Sequence, residues 1–204
     1  MKKLQLTIVI VLLLVGSIVA AKVLISSHQS SVNIQMARSK GDPNARVKII
    51  EYVDFQCPAC AYGITFLKGF MQKHPNDVFL QVHYFPLTNM HHHAMISALY
   101  SECAGRQGKF WQLDELMIPQ QSQWAQLLSP DPVFQSMAVQ AGIDIKQLNV
   151  CLASDDARKV INDEKSAGQT LGITSTPTYF INGKMVVGAK SLQDELKNYF
   201  PDSK

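Results

Sequence analysis

The sequence predicts an α/β fold with a helical block inserted between the second and third core strands. Two observations predict it. A β-α-β order opens the folded region, and only helical patterns occur between about residues 90 and 171, before a β-hairpin and a final helix. This region of roughly 160 residues is typical of one domain with a substantial core.

The first strand is predicted at 47–53, an apolar segment rich in β-prone residues. A helix follows, because apolar residues recur at roughly helical spacing between Tyr62 and Met71. The second strand is predicted at 78–85, a β-branched and aromatic run that ends at Pro86.

Helical patterns then dominate, with breaks at Gly and Pro residues. Strand character returns at 178–181, and Asn182-Gly183 is typical of the tight turn of a hairpin whose second strand covers 185–187. A final helix is predicted from about 192 to 200. The inserted helical segments are predicted to begin near Ala94, Lys109, Pro132, Asp144 and Asp156.

Cys57 and Cys60 lie where the first strand gives way to the helix, and two thiols at this spacing can form and open a disulfide reversibly. A helix N-terminus favours an anion, so Cys57 is the predicted thiolate and attacking thiol. Cys60, one turn further on, is predicted to be more buried and to resolve. The alternatives are an inert disulfide or half of a zinc site, although zinc usually takes about four ligands.

Residues 1–27 are predicted to be a membrane anchor or a signal peptide. Lys2 and Lys3 precede a nearly continuous apolar segment, and we favour an uncleaved anchor at 4–25 in the inner membrane over a removed signal peptide. The basic residues keep the N-terminus cytoplasmic, which predicts that the rest of the chain is extracytoplasmic, in the periplasm or at the cell surface.

The remainder divides into a polar linker at 28–43 and one domain at 44–204. The net charge of +3 is accounted for by Lys2, Lys3 and Lys22, so the rest of the chain is balanced. A basic surface for nucleic acid is therefore not predicted.

The other two cysteines of the chain, Cys103 and Cys151, both lie in helical patterns. If Cys57 and Cys60 form the working pair, the other two are left for each other, and exported proteins commonly pair their cysteines. We therefore predict a structural disulfide that joins two helices. The alternative is two unpaired buried thiols that act as small apolar residues.

Three separated motifs resemble the DsbA-like branch of the thioredoxin superfamily, and in particular its membrane-anchored bacterial subgroup. The resemblance runs from about Gly41 to Phe200 and implies a thioredoxin fold with a helical insertion between the second and third core strands. Its motifs are Glu51-Tyr52-Val53-Asp54-Phe55-Gln56-Cys57-Pro58-Ala59-Cys60, Gln107-Gly108-Lys109-Phe110-Trp111 and Gly172-Ile173-Thr174-Ser175-Thr176-Pro177-Thr178.

The resemblance also implies roles for individual residues. It implies a cis bond between Thr176 and Pro177 beside Cys57, with Thr176 and Pro177 contacting an extended substrate by strand addition. It implies that Glu51 is a buried proton relay beneath the cysteines, acting on Cys60. The alternative for Glu51 is an edge residue that reaches solvent.

The implied function is an exported thiol:disulfide oxidoreductase that introduces disulfides into secreted or envelope proteins, with no cofactor and no metal. Its implied partners are unfolded exported proteins and a membrane quinone-linked reoxidase of the DsbB or vitamin-K-epoxide-reductase (VKOR) type. The best-known oxidases carry Pro-His between the cysteines, whereas this chain carries Pro58-Ala59. The alternatives are a reductase or isomerase of the same fold, or a metallochaperone or holdase binding module.

Overall fold

A computed structural model describes residues 12–22 and 36–201 of the chain, which separates into two compact units, 1–36 and 37–204. Residues 12–22 are helical. The rest of the predicted anchor at 4–25, and residues 28–35 of the predicted linker, lie outside the described residues. Across the described ranges, no helix combines the length and the apolar character that crossing a membrane requires.

Between residues 36 and 201, five strands form one sheet in the order β1-β3-β2-β4-β5. Strand β2 runs parallel to β3, and the other neighbouring strands are antiparallel. This sheet confirms the predicted α/β class. The strands are β1 (Ser39–Gly41), β2 (Val47–Val53), β3 (Val78–Tyr84), β4 (Thr178–Ile181) and β5 (Lys184–Val187).

The helical insertion between the second and third core strands is also confirmed, because every helix from Ala94 to Thr170 lies between β3 and β4 in the chain. Helix α1 (Pro58–Lys73) connects β2 to β3, and α8 (Ala189–Tyr199) follows β5. The inserted helices are α2 (Ala94–Arg106), α3 (Phe110–Met117), α4 (Gln121–Trp124), α5 (Asp131–Gln140), α6 (Ile145–Leu152) and α7 (Asp155–Thr170).

Strand β1 was not predicted, and it lies in the segment that the sequence assigned to the linker. Lys40 pairs with Leu80 of β3, and the indole of Trp111 donates a hydrogen bond to the Ser39 carbonyl at 3.1 Å. Three mainly polar residues are too few to show the alternation by which a strand is detected in sequence. The sheet therefore includes residues that precede the predicted domain start at 44.

A buried arginine, Arg38, lies directly before β1. Arg38 donates to both carboxylate oxygens of Glu164 on α7, at 2.9 and 2.6 Å, and to the Val82 carbonyl on β3 at 3.2 Å. Burial would raise the pKa of Glu164, but hydrogen bonds from His83 and Arg38 outweigh it and lower this pKa to about 2. This charged contact joins the start of the domain to both the sheet and the last helix of the insertion.

Strand β2 is central, and its two faces contribute to different cores. Because successive side chains of a strand point to opposite faces, Ile49, Glu51 and Val53 share one face and Tyr52 lies on the other. The first face joins the main apolar core beneath α1, and Tyr52 packs with Phe85 in a smaller cluster. Glu51 consequently points into the main core.

A disulfide between Cys103 on α2 and Cys151 on α6 joins two helices of the insertion, with their Cα atoms 5.7 Å apart. Cys103 is fully buried, whereas Cys151 is partly buried at the edge of the core. The bond links positions 48 residues apart in sequence. It therefore restricts the unfolded chain strongly, by closing a long loop.

We expect this disulfide to contribute about 4 kcal/mol to the free energy of unfolding, because of the loop that it closes. The measurement is urea denaturation with and without dithiothreitol in a Cys57→Ser, Cys60→Ser variant, whose remaining cysteines are Cys103 and Cys151. Adding Cys103→Ser and Cys151→Ser supplies the control, which should not respond to reductant. Equal stability with and without reductant in the first variant would contradict the prediction.

Candidate active site

Cys57 occupies the N-cap of α1, directly after the end of β2 and a short turn. Its backbone is extended (φ −72°, ψ 121°), Pro58 takes the first helical position, and the Cys57 carbonyl accepts hydrogen bonds from the N–H groups of Cys60 and Ala61. Proline suits this position because its missing N–H is not needed there. Cys57 is 8% exposed and Cys60 is 0% exposed, which is the order of burial that the sequence predicted.

The two thiols differ strongly in acidity. The pKa of Cys57 is lowered to about 6, chiefly by a hydrogen bond from the Cys60 thiol, which together with the N–H groups of Cys60 and Ala59 outweighs the opposing effect of burial. Burial raises the pKa of Cys60 well above its usual value, and the hydrogen bond to Cys57 raises it further. At neutral pH the pair therefore consists of a Cys57 thiolate and a Cys60 thiol.

The loop before β4 lies beside Cys57. The Thr176–Pro177 peptide bond is cis, and the carbonyl oxygen of Thr176 is 3.6 Å from the Cys57 sulfur. Pairing between β2 and β4 begins only at Thr178, so Thr176 lies outside the ladder of the sheet. Its backbone thus lies next to the reactive sulfur without belonging to the sheet.

Glu51 is 1% exposed and lies on the central strand of the sheet, so it is not an edge residue that reaches solvent. Burial, and to a smaller extent the nearby carboxyl of Asp114, raise its pKa to about 8, while the Tyr179 hydroxyl acts in the opposite direction. Its Oε1 atom has no hydrogen-bond partner in the ranges that the structure covers. A buried carboxyl of this kind can exchange a proton near neutral pH.

Tyr179 connects Glu51 to the helix that carries the cysteines. It is the cross-strand partner of Glu51 in the β2–β4 ladder. Its hydroxyl lies under α1 at Gly63, where a Cβ atom would be 2.1 Å from the hydroxyl oxygen. Burial raises the pKa of Tyr179, and the charges of Glu51 and Cys60 raise it further. Because Gly63, one turn after Cys60, has no side chain, the ring of Tyr179 can pack against this part of α1.

Two residues that the sequence did not single out hold the turn before α1. The Asp54 carboxylate accepts hydrogen bonds from the N–H groups of Gln56 and Leu87, both at 2.8 Å, and contacts Nδ1 of His91 at 2.8 Å. The side-chain amide of Gln121 on α4 donates to the carbonyls of Phe55 at 2.7 Å and Cys57 at 2.9 Å. Asp54 could have been predicted from the sequence, because an Asp before a turn often accepts a hydrogen bond from the backbone N–H two residues later. Nothing in the sequence indicated Gln121.

Asp114 on α3 was also missed, although a signal for it existed. It stands four residues after Phe110 and three before Met117, so helical spacing places it on the buried face of α3. It is 6% exposed, and burial raises its pKa to about 7.

Within 12–22 and 36–201, no group of three or more His, Cys, Asp or Glu side chains is arranged to hold a metal ion.

Comparison with known proteins gives one family match. Residues 34–199 match the model of a family described as Thioredoxin. Among curated proteins, the Na(+)/H(+) antiporter NhaA 1 of Mycolicibacterium gilvum is 31% identical over 150 residues, which are 71% of this chain and 23% of the antiporter. The chain thus spans about a quarter of the length of the curated relatives it matches.

Two solved structures give the fold. BdbD from Bacillus subtilis superimposes with a TM-score of 0.68 at 19% identity, over 79% of this chain and 91% of that one. The alpha-DsbA1 protein of Wolbachia pipientis gives a TM-score of 0.60 at 25% identity, over 71% and 73% of the two chains. These likenesses confirm the DsbA-like resemblance at the level of the fold.

We expect the alkylation rate of Cys57 in the reduced protein to rise with pH around a midpoint of about 6, because the thiolate is the nucleophile. Cys60→Ala removes the hydrogen bond that lowers this pKa most, so the midpoint should move up towards the ordinary thiol value of about 8.5. Iodoacetamide kinetics and thiolate absorbance measure both midpoints. An unchanged midpoint in Cys60→Ala would show that Cys60 is not the main cause.

Proposed function

Because this chain belongs to the thioredoxin family, we propose that it is a thiol:disulfide oxidoreductase that introduces disulfides into proteins outside the cytoplasm. The observation that carries the proposal is the unequal acidity of Cys57 and Cys60 at the start of α1. Such a pair can exchange a disulfide with another protein through one accessible sulfur. The apolar segment after Lys2 and Lys3 supports the location.

The proposed reaction starts from the Cys57–Cys60 disulfide. A substrate thiolate attacks the Cys57 sulfur, the Cys57–Cys60 bond breaks, and Cys60 leaves as a thiolate that takes up a proton. A second substrate thiolate then attacks the substrate sulfur of this mixed disulfide and expels Cys57 as a thiolate. The substrate loses two electrons and gains one disulfide, while the protein becomes the dithiol.

The low pKa of Cys57 supports this direction of electron flow. A thiol of low pKa leaves readily, which favours the second step. Stabilising the Cys57 thiolate also stabilises the reduced protein, and one pKa unit makes the disulfide more oxidising by about 30 mV. Reoxidation by a membrane quinone-linked enzyme of the DsbB or VKOR type would complete the cycle.

The loop at Thr176 and Pro177 is the proposed substrate contact. The Thr176 backbone lies outside the β2–β4 ladder and beside the Cys57 sulfur. An extended substrate segment that pairs with it would gain main-chain hydrogen bonds without any requirement on its side chains. This mode suits an enzyme that acts on many unfolded proteins.

We expect Cys60→Ser to accumulate mixed disulfides between Cys57 and exported proteins. The Cys57 thiolate attacks a disulfide of such a protein, one of its sulfurs leaves as a thiolate, and the Cys60 thiol that would break the mixed disulfide is absent. Non-reducing electrophoresis and mass spectrometry of the trapped species measure this. Cys57→Ser is the matched control and should trap nothing. Failure of Cys60→Ser to trap any protein, together with stoichiometric metal binding by the wild type, would favour a metallochaperone instead.

We expect the reduction potential of the Cys57–Cys60 couple to lie between that of thioredoxin, about −270 mV, and that of DsbA, about −120 mV. The lowered pKa of Cys57 raises the potential above the first value, and the methyl side chain of Ala59 supplies no further donor or charge to reach the second. Equilibration with glutathione buffers measures it. A potential equal to that of thioredoxin would overturn the proposed oxidase direction and favour a reductase.

A further inference from the structure

A cavity of about 250 Å³ lies beneath α1, between the sheet and α3. Its size allows several water molecules, since one water needs roughly 10–15 Å³ of such volume. Charged side chains of β1, α1 and α3 also line it, and Lys68 pairs with Glu115 at 3.1 Å, with both side chains nearly half exposed. Its apolar walls include Phe55, Ile64, Met71, Leu80, Phe110 and Trp111.

Two buried carboxyls from distant parts of the sequence line this cavity. Glu51 comes from β2 and Asp114 from α3 of the insertion, and they are 1% and 6% exposed. Oε1 of Glu51 has no hydrogen-bond partner among the described side chains and backbone groups. Lys68, one of the cations of this cavity, is already paired with Glu115. A carboxyl left in this state requires either a proton or a polar partner from the cavity.

We propose that Asp114 is a positioning residue for the thiol chemistry. It shares one proton with Glu51 through water in this cavity, and this water and the two carboxyls link Cys60 to solvent. This inference rests on the proposed function, which it extends from the thioredoxin core to a residue of the helical insertion. Asp114 acts through Glu51 and does not contact the reacting sulfurs.

The electrostatics of the pair explain why one proton is shared. Two carboxylates in one apolar cavity cannot both be charged at low cost, so ionisation of one raises the pKa of the other. Burial raises the pKa of Glu51 to about 8 and that of Asp114 to about 7. The pair thus exchanges a proton near neutral pH. The other titratable groups that act on the two carboxyls are Tyr179 from β4, Lys40 from β1, Lys68 from α1 and Glu115 from α3.

The shared proton has a defined use. When Cys60 attacks a mixed disulfide on Cys57, its S–H bond breaks and the proton moves to the carboxyl pair. The new Cys60–Cys57 bond then forms, the bond from Cys57 to the other thiol breaks, and that thiol leaves as a thiolate which water protonates. In the reverse direction the pair returns the proton to Cys60. The Tyr179 hydroxyl, between Glu51 and the turn of α1 after Cys60, lies on this route.

The test follows the pH dependence of one isolated step. The protein is loaded with glutathione on Cys57, and the rate at which Cys60 releases glutathione is measured between pH 5 and 9. Asp114→Asn removes the charge that raises the pKa of Glu51, so Glu51 ionises at lower pH. We expect the pH of the half-maximal rate to fall by about one unit.

Two variants separate this role from a structural one. Glu115→Gln removes the same charge from the half-exposed neighbour of Asp114 on α3, where solvent screens it, and it should move the pH profile less than Asp114→Asn does. Asp114→Glu keeps a carboxyl and should keep the wild-type profile. An Asp114→Asn profile that coincides with the wild type, or an equal shift in Glu115→Gln, would overturn the proposal.

A measurement on the wild type covers the case in which Asp114→Asn fails to fold. Infrared difference spectra of the carboxyl C=O band should show two groups that titrate above pH 6, both altered by Glu51→Gln. Titration of every carboxyl below pH 5 would overturn the proposal. Release of glutathione by Cys60 is an intramolecular step, so its pH profile does not depend on whether proteins are substrates. Failure of the proposed function is recognised separately, by the absence of proteins trapped on Cys60→Ser.

Discussion

The site depends on the register between β2 and β4. This antiparallel pairing sets Glu51 opposite Tyr179 and ends at Thr178, which brings the Thr176 carbonyl to the Cys57 sulfur. A shift of one residue would move Glu51 from the main core to the opposite face of the sheet. One set of backbone hydrogen bonds thus determines both the loop that lies beside Cys57 and the carboxyl that lies on the core face of β2.

The helical insertion belongs to the site and is more than a cover for the sheet. Gln121 binds the carbonyls on either side of the turn that precedes α1, and Asp114 lines the cavity beneath that helix. The Cys103–Cys151 bond and the contact between Arg38 and Glu164 connect the insertion internally and to the start of the domain. The geometry of the active-site turn is therefore sensitive to the packing of helices far away in sequence.

The two thiols of the site and the two buried carboxyls beneath it differ in pKa. Hydrogen bonding lowers the pKa of Cys57 to about 6, whereas burial raises the pKa values of Cys60, Glu51 and Asp114. Burial opposes ionisation at all four groups. At Cys57, which lies at the helix N-terminus, the donors directed at the sulfur outweigh it. Near neutral pH the Cys57 thiol is thus ionised while Cys60 keeps its proton.

The sequence by itself determined the features that local patterns encode. The strand before Cys57, the helix after Cys60, the Asn182-Gly183 turn and the helical block each depend on neighbouring residues, and all were predicted. Glu51 and Thr176 were named through the resemblance. Only the tertiary structure decided the rest: strand β1, the hydrogen bonds from Gln121 to the turn before α1, and the placement of Asp114 and Glu51 on the wall of one cavity. The physical reason is that these contacts join residues dozens of positions apart, and neither spacing nor composition records which distant side chains the packed core brings together.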